Sequence, residues 1–278
     1  MLPDFSESPS RAHFASIIGR SDIPLAEAAL AVAEEEYPRL EPVAYLARID
    51  ALAADAAARL PARKSTAATL RALRQALFEE GGFRGNEASY YDPRNSFLNE
   101  VLDRKLGIPI TLSILYMEVA GRLGLELRGV GLPGNFLVKY ASGRRDIFVD
   151  PYRGGEIFSA EECEARYRAH HREDWSPSFL DAVTPRQILG RMLHNLKRIY
   201  VEAGDDVRAL WVIDRLLLLA PNDVSERRDR GLLAARLGAV GAARQDLSAY
   251  LERSPAASDA AEVQALLIHL ERRKSFLN

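Results

Sequence analysis

A helix that is apolar on nearly every side cannot lie on a protein surface, and this chain carries a candidate at residues 109–123. Ile108, Leu112, Leu115, Val119 and Leu123 recur at helical spacing, while Ile110, Ile114 and Met117 cover much of the remaining circumference. Pro109 suits the first turn, where a missing N–H costs nothing, and Gly124 suits the end. The helix must therefore be enclosed, and the material to enclose it lies on both sides in sequence. Three short strand-like runs follow, Glu126–Leu132, Asn135–Tyr140 and Asp146–Val149, and Ser142-Gly143 turns the second into the third as a hairpin.

The preceding stretch reads as helices. Asp22–Glu36 has Asp22 as a cap and Pro24 in its first turn; Tyr45–Leu60 and Ser65–Glu80 follow, the last stopped by Gly81-Gly82. A short helix spans about Ser96–Lys105. Asn95 and Asn99 beside it are candidate binding residues, although capping and loop hydrogen bonds explain such asparagines more simply. Ser159–His171 reads as a helix and Trp175–Pro185 as a linker. Residues 1–20 show no periodicity and read as irregular.

The C-terminal stretch has a different texture. Gly204 and Gly238, Ala209 and Ala243, and Pro221 and Pro255 each recur at a spacing of 34 residues, the tetratricopeptide period. Leu193, Leu196, Tyr200, Ala209, Ile213 and Leu216 occupy the positions where that motif needs apolar, aromatic and small residues. The second repeat keeps Ala234, Ala243 and Leu247 but places Arg227 and Arg230 at two early apolar positions. A final helix, Asp259–Arg273, would cap the stack. Arginines at covered positions need acidic partners, so Arg227 and Arg230 are expected either to meet acidic groups of the preceding domain or to serve a partner.

The 278 residues carry a formal net charge of −2, so no overall basic field exists to hold a phosphate backbone, and nucleic-acid binding is not expected. No apolar run is long enough to span a membrane. The opening Met1-Leu2-Pro3-Asp4-Phe5-Ser6 lacks the features of a secretory signal, so the expectation is a cytoplasmic chain. One cysteine excludes an internal disulfide and a multi-cysteine zinc site; no metal or other cofactor is expected.

Four segments together resemble the bacterial SirB-type family, described as regulators of SirC expression with a transglutaminase-like domain and tetratricopeptide repeats. They are Asp92-Pro93-Arg94-Asn95-Ser96, Gly107-Ile108-Pro109-Ile110-Thr111, Leu132-Pro133-Gly134-Asn135-Phe136-Leu137-Val138 and Val149-Asp150-Pro151. The resemblance implies an α+β chain with an irregular N-terminus (1–20) and a transglutaminase-like domain (21–183). That domain would comprise a helical part (21–106) and a papain-like core helix with a small antiparallel sheet (107–158), followed by helical repeats (184–278).

It also implies a cysteine at the head of the core helix, a histidine starting one strand and an aspartate on the next. In this sequence those positions are Pro109, Asn135 and Asp150. Proline has no nucleophile and asparagine exchanges no proton near neutral pH, so the acid alone remains. Thr111 and Ser113 carry hydroxyls nearby but have no histidine close in sequence to activate them. Cys163 and His170 are two helical turns apart, too far for contact, so Cys163 reads as structural or merely exposed. Two functional readings follow. In the first the chain is a non-catalytic transglutaminase-like protein, an interaction or regulatory module that takes a protein or peptide partner through its repeats. Asn95, Asn99, Asn135, Asp150, Arg227 and Arg230 are its candidate binding residues. In the second it is an acyltransferase or amide hydrolase with a rearranged, cysteine-free site built from Thr111 or Ser113, Asn135 and Asp150.

Overall fold

The computed structural model describes residues 5–143 and 145–275; the signal-peptide reading of Met1–Asp4 concerns residues outside that range. The helices are α1 (Pro9–Ile18), α2 (Leu25–Ala33), α3 (Pro42–Ala58), α4 (Thr66–Arg74), α5 (Leu98–Arg104), α6 (Pro109–Arg122), α7 (Ala160–His170), α8 (Pro185–Glu202), α9 (Asp206–Leu219), α10 (Val224–Arg236), α11 (Val240–Arg253) and α12 (Ala260–Ser275). The strands are β1 (Arg84–Gly85), β2 (Leu106–Gly107), β3 (Arg128–Val130), β4 (Leu137–Tyr140), β5 (Ile147–Asp150), β6 (Glu156–Phe158) and β7 (Ala182–Val183). The chain divides into two compact units. One is residues 16–192; the other joins residues 1–15 to residues 193–278.

In the larger unit α6 is the buried centre that its composition demands: every residue from Pro109 to Tyr116 is buried, as are Val119 and Ala120. α2 and α3 pack on it from the helical side, and β3 and β4 from the sheet side. α2 can sit deep because alanine dominates it; Ala28, Ala29, Leu30, Val32 and Ala33 are fully buried. The main sheet is antiparallel in the order β6-β5-β4-β3-β7. Period-two alternation gives it two apolar faces. Val138 and Val149 are cross-strand partners on one face, while Val130, Leu137, Phe148 and Phe158 on the other join Cys163 and Tyr167 of α7. A second, parallel pair joins β1 to β2.

The expected α+β class is thus the observed one, with several local differences. Residues 9–18 form α1, though the first twenty residues were expected to be irregular; a short helix with no clear apolar stripe leaves little periodic signal. Asp22 does not cap α2; Pro24 occupies that position without a side-chain cap bond. The helix expected over 65–80 ends in a π-helical turn, Gln75–Glu79. The expected linker 175–185 contains β7, whose two residues pair with Gly129 and Val130 and complete the sheet. Two-residue strands are invisible to pattern reading because alternation cannot be established over so few positions.

The smaller unit contains the paired helices. Ala209, Ile213, Leu193 and Leu196 are fully buried, and Tyr200 and Leu216 nearly so. Gly204 and Gly238 both adopt positive φ (70° and 74°), the left-handed turn that ends the first helix of each pair. The arginines at apolar positions find partners within this unit. Arg230 makes a two-pronged pair with Asp246 of α11 (2.6 and 2.7 Å), and Arg227 donates to the Pro221 carbonyl (3.1 Å). The expectation that they reach acidic groups of the transglutaminase-like layer is corrected on that ground. A further polar contact ties α1 to α9. Asp214 accepts from Arg11 (2.8 Å) and from the fully buried Arg215 (2.7 Å), and Arg215 also donates to Ser10 (3.0 Å). A repeat fragment starting at residue 184 would lack Ser10 and Arg11.

Two substitutions test this packing. Leu115→Ala, at a site 1% exposed, should cost about 2–5 kcal/mol in urea denaturation. Asp214→Ala removes the carboxylate that accepts from both Arg11 and the buried Arg215 and should cost about 3–5 kcal/mol. A loss below about 1 kcal/mol, typical of exposed pairs, would show that the α1–α9 contact contributes little.

Candidate functional site

Asn135 closes a tight turn ahead of β4. Its N–H bonds the Leu132 carbonyl (3.0 Å), and the turn passes through Gly134 at φ +73°. Arg191 clamps this turn, donating to the carbonyls of Leu132 (2.9 Å) and Asn135 (2.7 Å) while its guanidinium lies over the Phe136 ring. Asp150 ends β5 and caps the 3-10 turn that follows, accepting from the backbone N–H of Tyr152 (3.0 Å) and Arg153 (3.3 Å). Its other oxygen accepts from Asn135 Nδ2 (3.1 Å). Pro109 begins α6. These three residues, distant in sequence, line one cleft of ≈ 430 Å³.

The Asp150 carboxyl is 1% exposed. Burial pushes its pKa above the ordinary carboxylate value, and the bonds from Asn135 and the backbone, with the Arg153 charge, offset that only in part. Its oxygens are held by an amide and by backbone N–H groups, and no imidazole bonds to it among the described residues.

Thr111 and Ser113 do not line the cleft. The Thr111 hydroxyl accepts from Ile108 N–H (3.2 Å) and donates to the Asn95 carbonyl (2.7 Å), stapling the start of α6. Ser113 is fully buried, 3.5 Å from the Phe136 carbonyl. Cys163 is buried beneath the sheet in the apolar cluster, where burial pushes its thiol up to about 11. Such a thiol is inert at neutral pH, in keeping with the structural reading from sequence.

Asn95 is neither a helix cap nor a cleft residue. Fully buried, it accepts from Asn86 Nδ2 (3.0 Å) and donates to the carbonyls of Ser89 (2.7 Å) and Tyr90 (3.2 Å). It fixes the 86–91 loop, which presents Tyr90 to the cleft beside Tyr152, their rings 6.3 Å apart. Tyr152 itself lies against Gly85, where a Cβ would fall 2.4 Å from the ring. Asn99 lines a separate cleft of ≈ 720 Å³ with Tyr37, Tyr45 and Glu100; its buried Oδ1 has no donor among the described residues.

Sequence reasoning missed the opposite wall. Arg153, Arg166, Tyr167, His170 and His171 all line the cleft, the last four brought there by the C-terminal part of α7 and the residue after it. His171 stacks on Tyr167 (4.3 Å, 3° between planes), bonds the Tyr167 carbonyl through Nδ1 (3.2 Å) and turns Nε2 toward Gly134. No histidine is close in sequence to Thr111 or Ser113, yet His170 and His171 line the cleft. The adjacent His170-His171 pair was a signal, but nothing in its spacing to Asn135 or Asp150 places it there. Among the described residues no group of three or more His, Cys, Asp or Glu side chains could hold a metal, and no helix is long and apolar enough to cross a membrane.

Comparison with known proteins agrees with this geometry. Residues 43–194 match the family model described as transglutaminase-like superfamily, and residues 196–268 match that of the tetratricopeptide repeat. A UPF0162 protein of Xylella fastidiosa is 35% identical over 257 residues, 91% of this chain and 92% of the relative. A UPF0162 protein of Vibrio cholerae is 32% identical over 191 residues, 68% of this chain and 70% of its own length. F-box only protein 21 of Homo sapiens is 30% identical over 145 residues, 49% of this chain but 22% of that larger protein.

The raised pKa of Asp150 gives a pH test. A carboxyl whose folded pKa lies above its unfolded value favours folding at low pH and loses that advantage as pH rises through the folded pKa. Asp150→Asn should thus gain stability relative to the parent on going from about pH 4 to about pH 7, measured by urea denaturation. The opposite trend would mean that the carboxylate is held by net charge attraction, as in a working ion pair.

Proposed function

Since the chain belongs to the transglutaminase-like superfamily, among its UPF0162 proteins, we propose that it is a binding module built on a catalytic fold whose reaction has been lost. The observation that carries this reading is the pairing of Asp150 with the Asn135 amide (3.1 Å), at a cleft headed by Pro109. Cysteine-type acyl transfer needs a thiolate at the helix head and an imidazole to move its proton, oriented in turn by the acid. Here the acid orients an amide that can move no proton.

The helical repeats supply a surface for a partner. Such repeats mediate protein–protein contacts through grooves between their helices, and a cleft of ≈ 290 Å³ opens among Lys197, Val201, Ile213, Asp229, Leu232 and Arg236. A regulatory role, acting through a protein or peptide partner in the cytoplasm, follows from the SirB-type resemblance of the motifs and from this arrangement. The competing reading, a rearranged hydrolase, draws support from His171, whose Nε2 faces the cleft. Against it, the hydroxyls of Thr111 and Ser113 and the Cys163 thiol all lie away from the cleft.

The protein should give no turnover of p-nitrophenyl acetate and form no hydroxamate from peptide amides with hydroxylamine. In Pro109→Cys, the introduced thiol should be alkylated by iodoacetamide from the cleft while Cys163 stays protected. Turnover by the parent that disappears in folded Asp150→Ala would overturn the non-catalytic reading.

A further inference from the structure

Donors and acceptors in the Asp150 cleft are unequally satisfied. The Asp150–Asn135 pair is engaged: Asp150 takes hydrogen bonds from Asn135, Tyr152 and Arg153, and Asn135 Oδ1 takes one from the Phe136 N–H (2.8 Å). The cationic side chains at the mouth are not. The five side-chain N–H groups of Arg153 make no hydrogen bond among the described residues. The nearest carboxylate oxygen, on Asp150, is 3.9 Å from Nε, beyond hydrogen-bond reach, and 59% of the side chain is exposed. His170 likewise bonds nothing among the described residues. The Arg166 guanidinium lies over the Phe158 ring (3.9 Å) and reaches Glu156 at 3.3 Å through a single nitrogen, so most of its fork is open.

A mouth whose cationic donors are open selects a ligand that brings acceptors. With two guanidinium groups among those donors, the ligand that gains most is an anion with two oxygens in a plane, because that geometry matches the fork. The rest of the lining is apolar or aromatic: Tyr90 and Tyr152 on one side, Leu132 and Pro133 beside the turn. A volume of ≈ 430 Å³ suits one or two residues of a peptide rather than a long segment.

We infer that the cleft binds the carboxylate of a peptide carrying an apolar or aromatic residue, with Arg153 as its principal ligand and Arg166 and His170 beside it. This rests on the non-catalytic reading above, in which Asp150 is engaged with the Asn135 amide and turns over no ligand. The carboxylate could belong to a chain end or to an acidic side chain; the chemistry is shared, and the probes separate the two.

The test is calorimetric titration of the full chain with N-acetyl-phenylalanine, its carboxamide, N-acetyl-aspartic acid α-amide and inorganic phosphate at matched ionic strength. N-acetyl-phenylalanine should bind about tenfold or more tightly than its carboxamide, the discrimination expected of charge-assisted bonds. Arg153→Glu should remove that preference, and Arg153→Lys should keep only part of it, because an ammonium lacks the planar fork. Arg153 is exposed, so these variants should fold normally, as circular dichroism will verify. Tighter binding of N-acetyl-phenylalanine assigns a chain end and tighter binding of the aspartic acid amide an acidic side chain; either upholds the inference. Equal binding of acid and carboxamide overturns it. So does an unchanged preference in Arg153→Glu, binding of phosphate with no preference for either peptide acid, or no binding at about 10 mM. Conversion of the carboxamide to the acid, followed separately by mass spectrometry, would count against the non-catalytic reading alone.

Discussion

The larger unit is built around the burial of α6. A fourteen-residue helix with apolar side chains on nearly every face must be covered on nearly every face, and no single neighbouring element can do that. Helices before it in sequence cover one side and the sheet after it covers another. The sheet is in turn closed from its far face by α7, through Cys163 and Tyr167. Leaving any one of these layers unformed would expose apolar surface on α6 or on the strands, so the layers depend on one another. The site inherits its rigidity from this arrangement. Pro109 lies at the head of the most buried helix, Asp150 at the end of a central strand, and Asn135 in a turn pinned by Arg191.

That rigidity comes from bonds that serve the fold itself. Asp150 is kept in place by its capping bonds to Tyr152 and Arg153 and by Asn135, so its position serves the fold as well as any ligand. Thr111 and Asn95 have the same character. Each was a candidate for chemistry from its place in sequence, and each is engaged in holding backbone. Thr111 fastens α6 to the Asn95 carbonyl, and Asn95 fastens the loop that carries Tyr90. The cleft wall is therefore fixed by side chains that never reach the cleft. Its open donors are instead long, exposed arginines and a histidine, which can adjust to a bound group without disturbing the core.

In the smaller unit charges are neutralised locally. Arg230 with Asp246, Lys197 with Glu226 and Asp229, and Arg11 with Asp214 each join neighbouring helices inside the unit. Arginine at a position the repeat motif reserves for apolar residues is tolerated because an acidic residue stands opposite on the paired helix. The N-terminal residues supply part of this network through Ser10 and Arg11, so the repeat unit draws on both ends of the chain.

The sequence by itself determined the elements whose signal is repetitive or extreme. The largely apolar run at 109–123 marked a buried helix. The spacing of 34 fixed paired helices, with glycine where φ is positive. The resemblance carried by the Pro109, Asn135 and Asp150 motifs implied that these residues share a site, and they line one cleft. Only the tertiary structure decided what has no periodic signature. α1 and the two-residue strand β7 are too short or too weakly patterned to register, and they exist because neighbouring elements supply their partners. The partner of Arg230 depended on which helix lay opposite. Above all, His170, His171, Arg153 and Arg166 reach the cleft because α7 folds over the sheet, a placement set by packing between residues far apart in the chain. Local spacing reports which side chains share a face; it carries no information about which faces meet.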